Sequence, residues 1–592
     1  MRELEFPFNG EYIVTKKRAI KRQLLESGAA TGTPKKIAIL GGSTTSHIKD
    51  CLELFLLDKG IPCEFYESEY NRYYEDLMFD NPELKEFAPD VIFIHTTFRN
   101  IKNLPAISDS KEDVAAKLDA EYKKFETLWA KAKSLYGCVL IQNNFELPYV
   151  RSLGSIDATE YRGYVRFVND LNAKFADYAE ANEGFWINDI NYASACFGLD
   201  KWAEPSYWQL YKYAVALPAI PHMAFELSNL IGSIFGKTKK VVCLDLDNTL
   251  WGGVIGDDGP ERIEIGQETA LAETYSEFQE YLKTLAARGI LLTINSKNEE
   301  DVALKGFERP DSVLRKEDFV NRKINWNPKS ENLVKMAGEL NLLPESFVFV
   351  DDNPAEREIV RQQVKGCRVP ELTTPETYAY MIDRSGYFNP AAVSDDDLKR
   401  VGMYKENAKR LELEESFADY GEYLNSLEME GEIGPFKDIY FSRIAQLTNK
   451  SNQFNLTTKR FSENDIINMA SDGNRITLYG KLVDKFGDNG VVSVVEGEIK
   501  GDVLDIELWL MSCRVLKRDM EYAMLDKLVE AAKAKGIKTL KGNFYPTAKN
   551  KMVREFYDTM GFTLTEEDGE GNRYYTLDIS EYKKQNNYIR MV

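Results

Sequence analysis

The chain has 592 residues, 43% hydrophobic and 29% charged, with a formal net charge of −20. At about 150 residues per domain, this length predicts about four domains, and three large ones also fit. The composition excludes a mainly disordered or collagen-like chain, because enough apolar surface exists to offset the entropy of ordering. No uncharged apolar run of about 18 residues occurs, so no membrane-spanning helix is expected. The opening MRELEFPFNG carries acidic residues and no apolar stretch, so no secretory leader is expected and the inferred location is cytoplasmic. A chain this acidic lacks the electrostatic footprint for phosphate backbones or anionic membranes, so neither nucleic acid nor membrane is an expected partner. The seven cysteines (Cys51, Cys63, Cys138, Cys196, Cys243, Cys367 and Cys513) are odd in number, widely spaced and without CxxC, which reads as reduced thiols. The three histidines, His47, His95 and His222, all lie in the first 222 residues. Any chemistry beyond them proceeds without histidine.

In chain order, residues 1–35 read as a helical lead-in ending in the loop GAATGTPKK. Four short apolar runs follow, KIAIL (36–40), VIFIH (91–95), CVLIQ (138–142) and FWINDI (185–190), separated by helical stretches. Such runs read as buried parallel strands, giving an open α/β domain over 36–230. A second α/β unit, 236–385, begins at KTKKVVCLDLDNTLW, with apolar runs VVCL (241–244), ILLTI (290–294) and FVFV (347–350). Residues 386–431 read as a charged connecting helix or helix pair. From 432 to 580 the longer stretches RITLYGKLVD, GVVSVVEGEI, DVLDIELWLM and YYTLDI, with helices at 518–534 and 551–559, predict an α+β domain. The last residues, 581–592, read as a tail. The predicted class is therefore multidomain α/β.

The middle unit carries the strongest signal. VVCL runs into Asp245-Leu-Asp247-Asn-Thr249, ILLTI into Asn295-Ser296-Lys297, and FVFV into Asp351-Asp352-Asn353. In a parallel sheet those strand ends share one edge, and ligands bind there. Lys329, in NWNPKSENL, is placed to join them from a helix start. Asp245 can attack phosphorus as a carboxylate nucleophile, and Asp247 can protonate the leaving group and then activate water. A carboxylate cluster needs a cation; Mg²⁺ suits oxygen ligands, with Asp245, Asp247, Asp351 and Asp352 as its candidate holders. Thr249, Ser296 and Lys329 are the candidate phosphate-binding residues.

This ordered set of DxDxT, Ser, Lys and DD resembles the haloacid dehalogenase (HAD) superfamily. The gaps from Ser296 to Lys329 and from Lys329 to Asp351 are too short for a separate cap domain. The motifs LDLDNTLWGGVIGDDG, INSKNEEDV, FVDDNPAERE and RIAQLTNKSNQFNLTTKRF are similar to the FkbH-like family. That resemblance implies three domains. They are an SGNH/flavodoxin-like α/β domain, a HAD Rossmannoid α/β domain without a large cap, and a GNAT-like α+β domain. It also implies a reaction: 1,3-bisphosphoglycerate is dephosphorylated and its glyceryl group is loaded as a thioester on a pantetheinylated acyl carrier protein. Two rival readings stay open, a plain phosphatase acting on a small metabolite or phosphoprotein, and a non-catalytic protein that binds carrier proteins.

In the SGNH-like resemblance Ser43, within KIAILGGSTTS, is the nucleophile, and Asn143 or Asn144 helps bind the oxyanion. The D-x-x-H of that family is missing, because Ala219 stands at the required offset before His222. A degenerate binding or capping domain is therefore expected, with His47 and His95 as ordinary loop and strand-end residues. In the GNAT-like resemblance, Arg514-Val-Leu-Lys517-Arg518-Asp519 stands where R/Q-x-x-G-x-G/A binds a pyrophosphate. Arg514 fits, while Lys517 and Asp519 replace both glycines, which disfavours coenzyme A. Lys517 and Arg518 either meet an acidic carrier surface or form a solvated helix start. Cys513 reads as a thioester-carrying thiol or as a buried strand-end residue. Tyr557 stands at a general-acid position of that fold, with a core role favoured. Asn452, Gln453 and Asn455 are expected to face a substrate.

Overall fold

Strands that are apolar at every position need cover on both faces, and helices on either side of a parallel sheet supply it. The computed structural model describes residues 1–28, 32–79, 81–451, 453–512, 515–547 and 549–592. They divide into two compact units, Met1–Ile234 and Phe235–Val592. No helix among the described residues is long and apolar enough to cross a membrane.

The first unit is built on β1 (Lys35–Gly41), β2 (Cys63–Glu67), β3 (Val91–His95), β4 (Val139–Asn143) and β5 (Phe185–Asn188). All neighbours are parallel, in the order β2-β1-β3-β4-β5. That order is flavodoxin-like, with its topological switch between β1 and β3. The four runs expected as strands are β1, β3, β4 and β5. The edge strand β2 escapes the pattern because only its surroundings are apolar; CEFYE itself is half-buried at four positions and exposed at one. The lead-in is the helix Gly10–Glu26, capped by the Asn9 side chain and burying Ile13, Ile20 and Leu24 along one face.

In the second unit β6 (Val241–Leu244), β7 (Leu291–Ser296), β8 (Phe319–Ile324) and β9 (Phe347–Val350) form a parallel sheet in the order β8-β7-β6-β9. Leu244 is in register with both Ile294 and Val350, so the C-terminal ends of β7, β6 and β9 lie side by side. Between Asp247 and β7 stand a four-residue helix and the helix Ala270–Ala287, with no further sheet.

The third sheet contains β10 (Glu430–Gly434), β11 (Arg475–Asp484), β12 (Gly487–Lys500), β13 (Val503–Met511), β14 (Thr539–Phe544), β15 (Thr563–Glu567), β16 (Arg573–Asp578) and β17 (Arg590–Met591). Their order is β15-β16-β14-β13-β12-β11-β10-β17. Parallel β13 and β14 pair only over Val503–Asp505 and then diverge. Residues 454–456 fill the opening: Leu456 N donates to Trp509 O, Met511 N to Phe454 O, and Tyr545 N to Leu456 O.

Two regions differ from expectation. The helix Asp395–Glu415, expected as a connector, is built into the sheets on either side of it. Tyr404 is buried among Val241, Leu333 and Phe347, while Arg410 pairs with buried Asp484 on β11 at 2.6 Å. The expected tail is docked as well. Asp526 accepts from Tyr582 Oη, Gln585 N and Asn586 N, Ile589 is buried, and β17 pairs with β10. A polar sequence read as solvated because its partners, Asp526 and β10, are distant in the chain. Burial of one isoleucine contributes about 1.5–3 kcal/mol, so removal of residues 581–592 is expected to cost the second unit about 2–4 kcal/mol with its hydrogen bonds included. A thermal melt reads this directly; an unchanged midpoint would contradict the docking.

Candidate active site

The ladder of β6 extends into the first aspartate, for Asp245 N donates to Val350 O at 2.9 Å. Lys329 opens the helix Lys329–Glu339 behind Pro328. Its carbonyl accepts from Asn295 Nδ2 at 2.8 Å, and Asn295 accepts in turn from Asn332 Nδ2. This fixes the buried Lys329 ammonium 2.9 Å from Asp245 Oδ1 and 2.6 Å from Asp351 Oδ2. Burial alone would lower the Lys329 pKa, but Asp245 and Asp351 outweigh it and hold the ammonium above its ordinary range. Asp351 is pushed up to about 6, first by burial and then by Asp245. Asp352 is raised for the same two reasons. The Asp351–Asp352 turn is held from beneath by Arg357, whose Nη1 donates to both carbonyls.

Asp245, Asp351 and Asp352 bring carboxylate oxygens within 4.8 Å of one another. Three carboxylates against one ammonium leave excess negative charge in a largely buried site. An all-oxygen donor set of this kind fits a hard divalent cation. Asp247, expected as a fourth holder, is not in this cluster. Its Oδ1 accepts from Trp251 Nε1 at 2.9 Å and Ile255 N at 3.0 Å, and its Oδ2 from Asn298 Nδ2 at 3.0 Å. Burial raises its pKa, which suits a group that must hold and release a proton. The turn that aims it uses Asn248 at φ +55, whose carbonyl accepts from Tyr275 and Tyr378 hydroxyls.

Ser296 is 1% exposed at the end of β7, and its Oγ has no hydrogen-bond partner among the described residues. A buried hydroxyl left unpaired costs about 1–3 kcal/mol, which a phosphoryl oxygen at this strand mouth would recover. Thr249, expected to bind phosphate, is fully buried and accepts from Asp352 N at 3.1 Å. It thus ties the first motif to the last. Asn295, Asn298, Trp251 and Arg357 are the site residues that sequence reasoning missed. Asn295 and Asn298 flank Ser296 in the INSKN motif, the one signal that could have found them.

In the first unit, Ser43, His95 and Asn143 meet at the switch point. Asn143 Nδ2 donates to His95 Nδ1 at 2.8 Å while its Oδ1 accepts from Asn188 Nδ2. A neutral imidazole accepting at Nδ1 carries its proton on Nε2. That proton is donated to Ser43 Oγ at 3.0 Å. His95 is therefore no ordinary strand-end residue, but it donates to Ser43 where a base would accept. Asn144, the alternative oxyanion residue, is engaged with Asp189 and Asn191 N. His47 contacts Lys17, and His222 packs on Phe8 and Phe197. Gly42 is required beside this group, since a Cβ there would stand 2.3 Å from Asn100 Nδ2.

Around the third sheet, Asn452, Cys513 and Arg514 lie outside the described residues. Lys517 and Asp519 sit at φ +63 and +59, so the loop keeps at both positions the left-handed backbone that glycine adopts freely. Arg518 is not a surface charge. It donates to Asp484 at 3.0 Å and Asn407 at 2.8 Å and is 6% exposed; it cannot meet a carrier surface there. Tyr557 is core, buried among Trp509, Phe556, Phe562 and Tyr575. Asn455 is fully buried, with its Oδ1 accepting from Thr458 N.

The family described as "FkbH, N-terminal domain" matches residues 36–232. Residues 36–232 therefore carry a domain of the FkbH N-terminal type. The chain is 29% identical to the N-terminal part of the protein BF1531 from Bacteroides fragilis, described as containing a phosphatase domain complexed with Mg. The TM-score is 0.58, with 65% of this chain and 100% of that one covered. It is also similar to the ribosomal-protein-S18-alanine N-acetyltransferase from Escherichia coli, at 12% identity and TM-score 0.21, over 27% of this chain and 99% of that one. The PaiA N-acetyltransferase from Thermoplasma acidophilum is 16% identical at TM-score 0.20, over 25% and 99%. Among curated proteins, none matches.

Burial pushes the His95 pKa down to about 4. The unfolded imidazole, near 6.5, binds a proton before the folded one does, so the stability of the first unit is fully present above about pH 6.5. It falls as pH drops toward 4, by up to about 1.4 kcal/mol per pH unit. An NMR titration resolving the three imidazoles checks this; a His95 midpoint near 6.5 would contradict the network.

Proposed function

We propose that this chain is an FkbH-like, Mg²⁺-dependent phosphoryl-transfer enzyme of HAD type that dephosphorylates 1,3-bisphosphoglycerate and loads the glyceryl group on an acyl carrier protein. The observation that carries the phosphoryl-transfer half is the Lys329 ammonium between Asp245 and Asp351, at 2.9 and 2.6 Å. Asp245, Asp351 and Asp352 would hold Mg²⁺, whose charge, when bound, offsets that of the phosphoryl oxygens. The Mg complexed with the phosphatase-domain relative from Bacteroides fragilis supports that choice of ion.

In the proposed reaction an oxygen of Asp245 bonds to phosphorus as the ester bond to the substrate oxygen breaks. Asp247, protonated, gives its proton to that leaving oxygen. It then takes a proton from water as the water oxygen attacks phosphorus, freeing phosphate and regenerating Asp245. Lys329 and the Ser296 hydroxyl stabilise the charge on the transferred group. In the acyl half a pantetheine thiolate attacks the acyl-phosphate carbonyl and phosphate leaves, so no further activation is needed. Cys513 is proposed as an intermediate carrier of the same thioester.

A plain phosphatase is the second reading. Side chains at the two left-handed loop positions, Lys517 and Asp519, and the burial of Arg518 favour it, since both reduce what the third sheet offers a carrier.

The test uses purified protein, Mg²⁺, freshly generated 1,3-bisphosphoglycerate and a pantetheinylated carrier protein, with carrier mass and released phosphate followed together. The expected result is a glyceryl mass gain on the carrier, lost with Asp245→Asn, which lowers release of the ester phosphate by on the order of 10³-fold or more. Phosphate release without carrier loading would support the plain phosphatase, and neither signal would overturn both readings. Ser296→Ala is expected to lower kcat by about 10²-fold while the melting temperature holds or rises, because a buried unpaired hydroxyl is removed. A fall in melting temperature would assign Ser296 a structural part instead.

A further inference from the structure

A cavity of about 100 Å³ lies within the second unit, between the N-terminal ends of β6 and β9 and the third sheet. Its lining carries four cations, Lys240, Arg400, Arg443 and Lys450, against one carboxylate, Glu345. Glu345 is already engaged by Lys549 at 2.6 Å. Behind the wall, Asp397 accepts from both Arg400 and Lys450. Three more cations gather beside it: Lys237 feels the positive charges of Lys549 and Arg460. This concentration of positive charge in a chain of net charge −20 lies out of reach of the phosphatase centre. Lys240 precedes β6 and Asp245 follows it, and a four-residue strand spans roughly 13 Å. The lining also includes the apolar side chains of Phe454 and Met511, and Ser512.

We propose that this cavity is a binding site for a small phosphorylated hydroxy acid, its phosphate held by Arg400, Arg443, Lys240 and Lys450 and its carbon chain against Phe454 and Met511. Guanidinium forks and ammonium groups in a sheltered setting form charge-assisted hydrogen bonds with a phosphate dianion. The volume exceeds several times what one water needs. The lining lysine is short of counter-charge, as burial moves the Lys450 pKa down to about 8 despite Asp397. An anion in the cavity relieves this. The acid end would lie beside Ser512, the residue before Cys513 in the sequence. The anion site stands on the cavity alone; the choice of a phosphorylated hydroxy acid rests on the function proposed above.

The experiment is calorimetric titration of the full chain carrying Asp245→Asn, without Mg²⁺, with 3-phosphoglycerate, inorganic phosphate and glycerate as probes. The expected order is 3-phosphoglycerate tightest, phosphate weaker and glycerate undetectable. Adding Arg443→Met or Lys450→Met is expected to weaken 3-phosphoglycerate by at least about tenfold. The same substitutions in the otherwise unchanged chain should leave phosphate release from p-nitrophenyl phosphate within about twofold, which also shows that they fold. On the unsubstituted chain with Mg²⁺ removed, acetylation near pH 8 read by mass spectrometry should show Lys450 and Lys240 protected by 3-phosphoglycerate. Equal binding in the Met variants, or no protection of either lysine, would overturn the proposal. Failure of the phosphatase reading shows separately, as no phosphate release with anion binding still lost in the variants.

Discussion

The Lys329 ammonium sits between two carboxylates from different strands, Asp245 after β6 and Asp351 after β9, at 2.9 and 2.6 Å. Without it, three carboxylates would crowd a nearly dry strand mouth, and one of them would have to take up a proton. The geometry around Lys329 follows from that requirement. Pro328 starts its helix, Asn295 holds its carbonyl and Asn332 holds Asn295. Thr249 links the Asp245 loop to Asp352 N, and Arg357 fixes the turn from below. The site is therefore preorganised by backbone contacts, leaving the Ser296 hydroxyl as a buried group without a partner among the described residues.

Much of this was legible in the sequence. Each of VVCL, ILLTI and FVFV ends in polar residues, and a parallel sheet can only bring such ends to one edge. Asp245, Asp247, Ser296, Asp351 and Asp352 follow from that argument, and Lys329 from the helix start that NWNPKSENL signals. The supporting residues do not. Asn295 and Arg357 act on carbonyls, and nothing in their own sequence neighbourhood says which carbonyl. Asp247 follows Asp245 by two residues, yet its carboxyl turns to Trp251, Ile255 and Asn298 instead of joining the cluster, because the left-handed Asn248 redirects the chain.

What sequence reasoning missed elsewhere has one cause, contacts made between segments far apart in the chain. His95 meets Ser43 because β3 lies beside β1, an adjacency that strand order and not sequence order decides. Arg518 looked like a surface charge and is a buried partner of Asp484, which Arg410 holds from another helix. The helix Asp395–Glu415 is highly charged and read as a connector, yet Tyr404 and Arg410 anchor it on both sides. The cationic cavity belongs to the same class: Lys240, Arg400, Arg443 and Lys450 converge only after folding.

The central claim is that Asp245 is the nucleophile of a phosphoryl-transfer site organised by Lys329. The most direct measurement is acid quenching during turnover of a phosphate ester with Mg²⁺, followed by peptide mass spectrometry. The account predicts a phosphoryl adduct on the peptide carrying Asp245, absent with Asp245→Asn. Steady phosphate release with no adduct on Asp245, or an adduct on another residue, would contradict it.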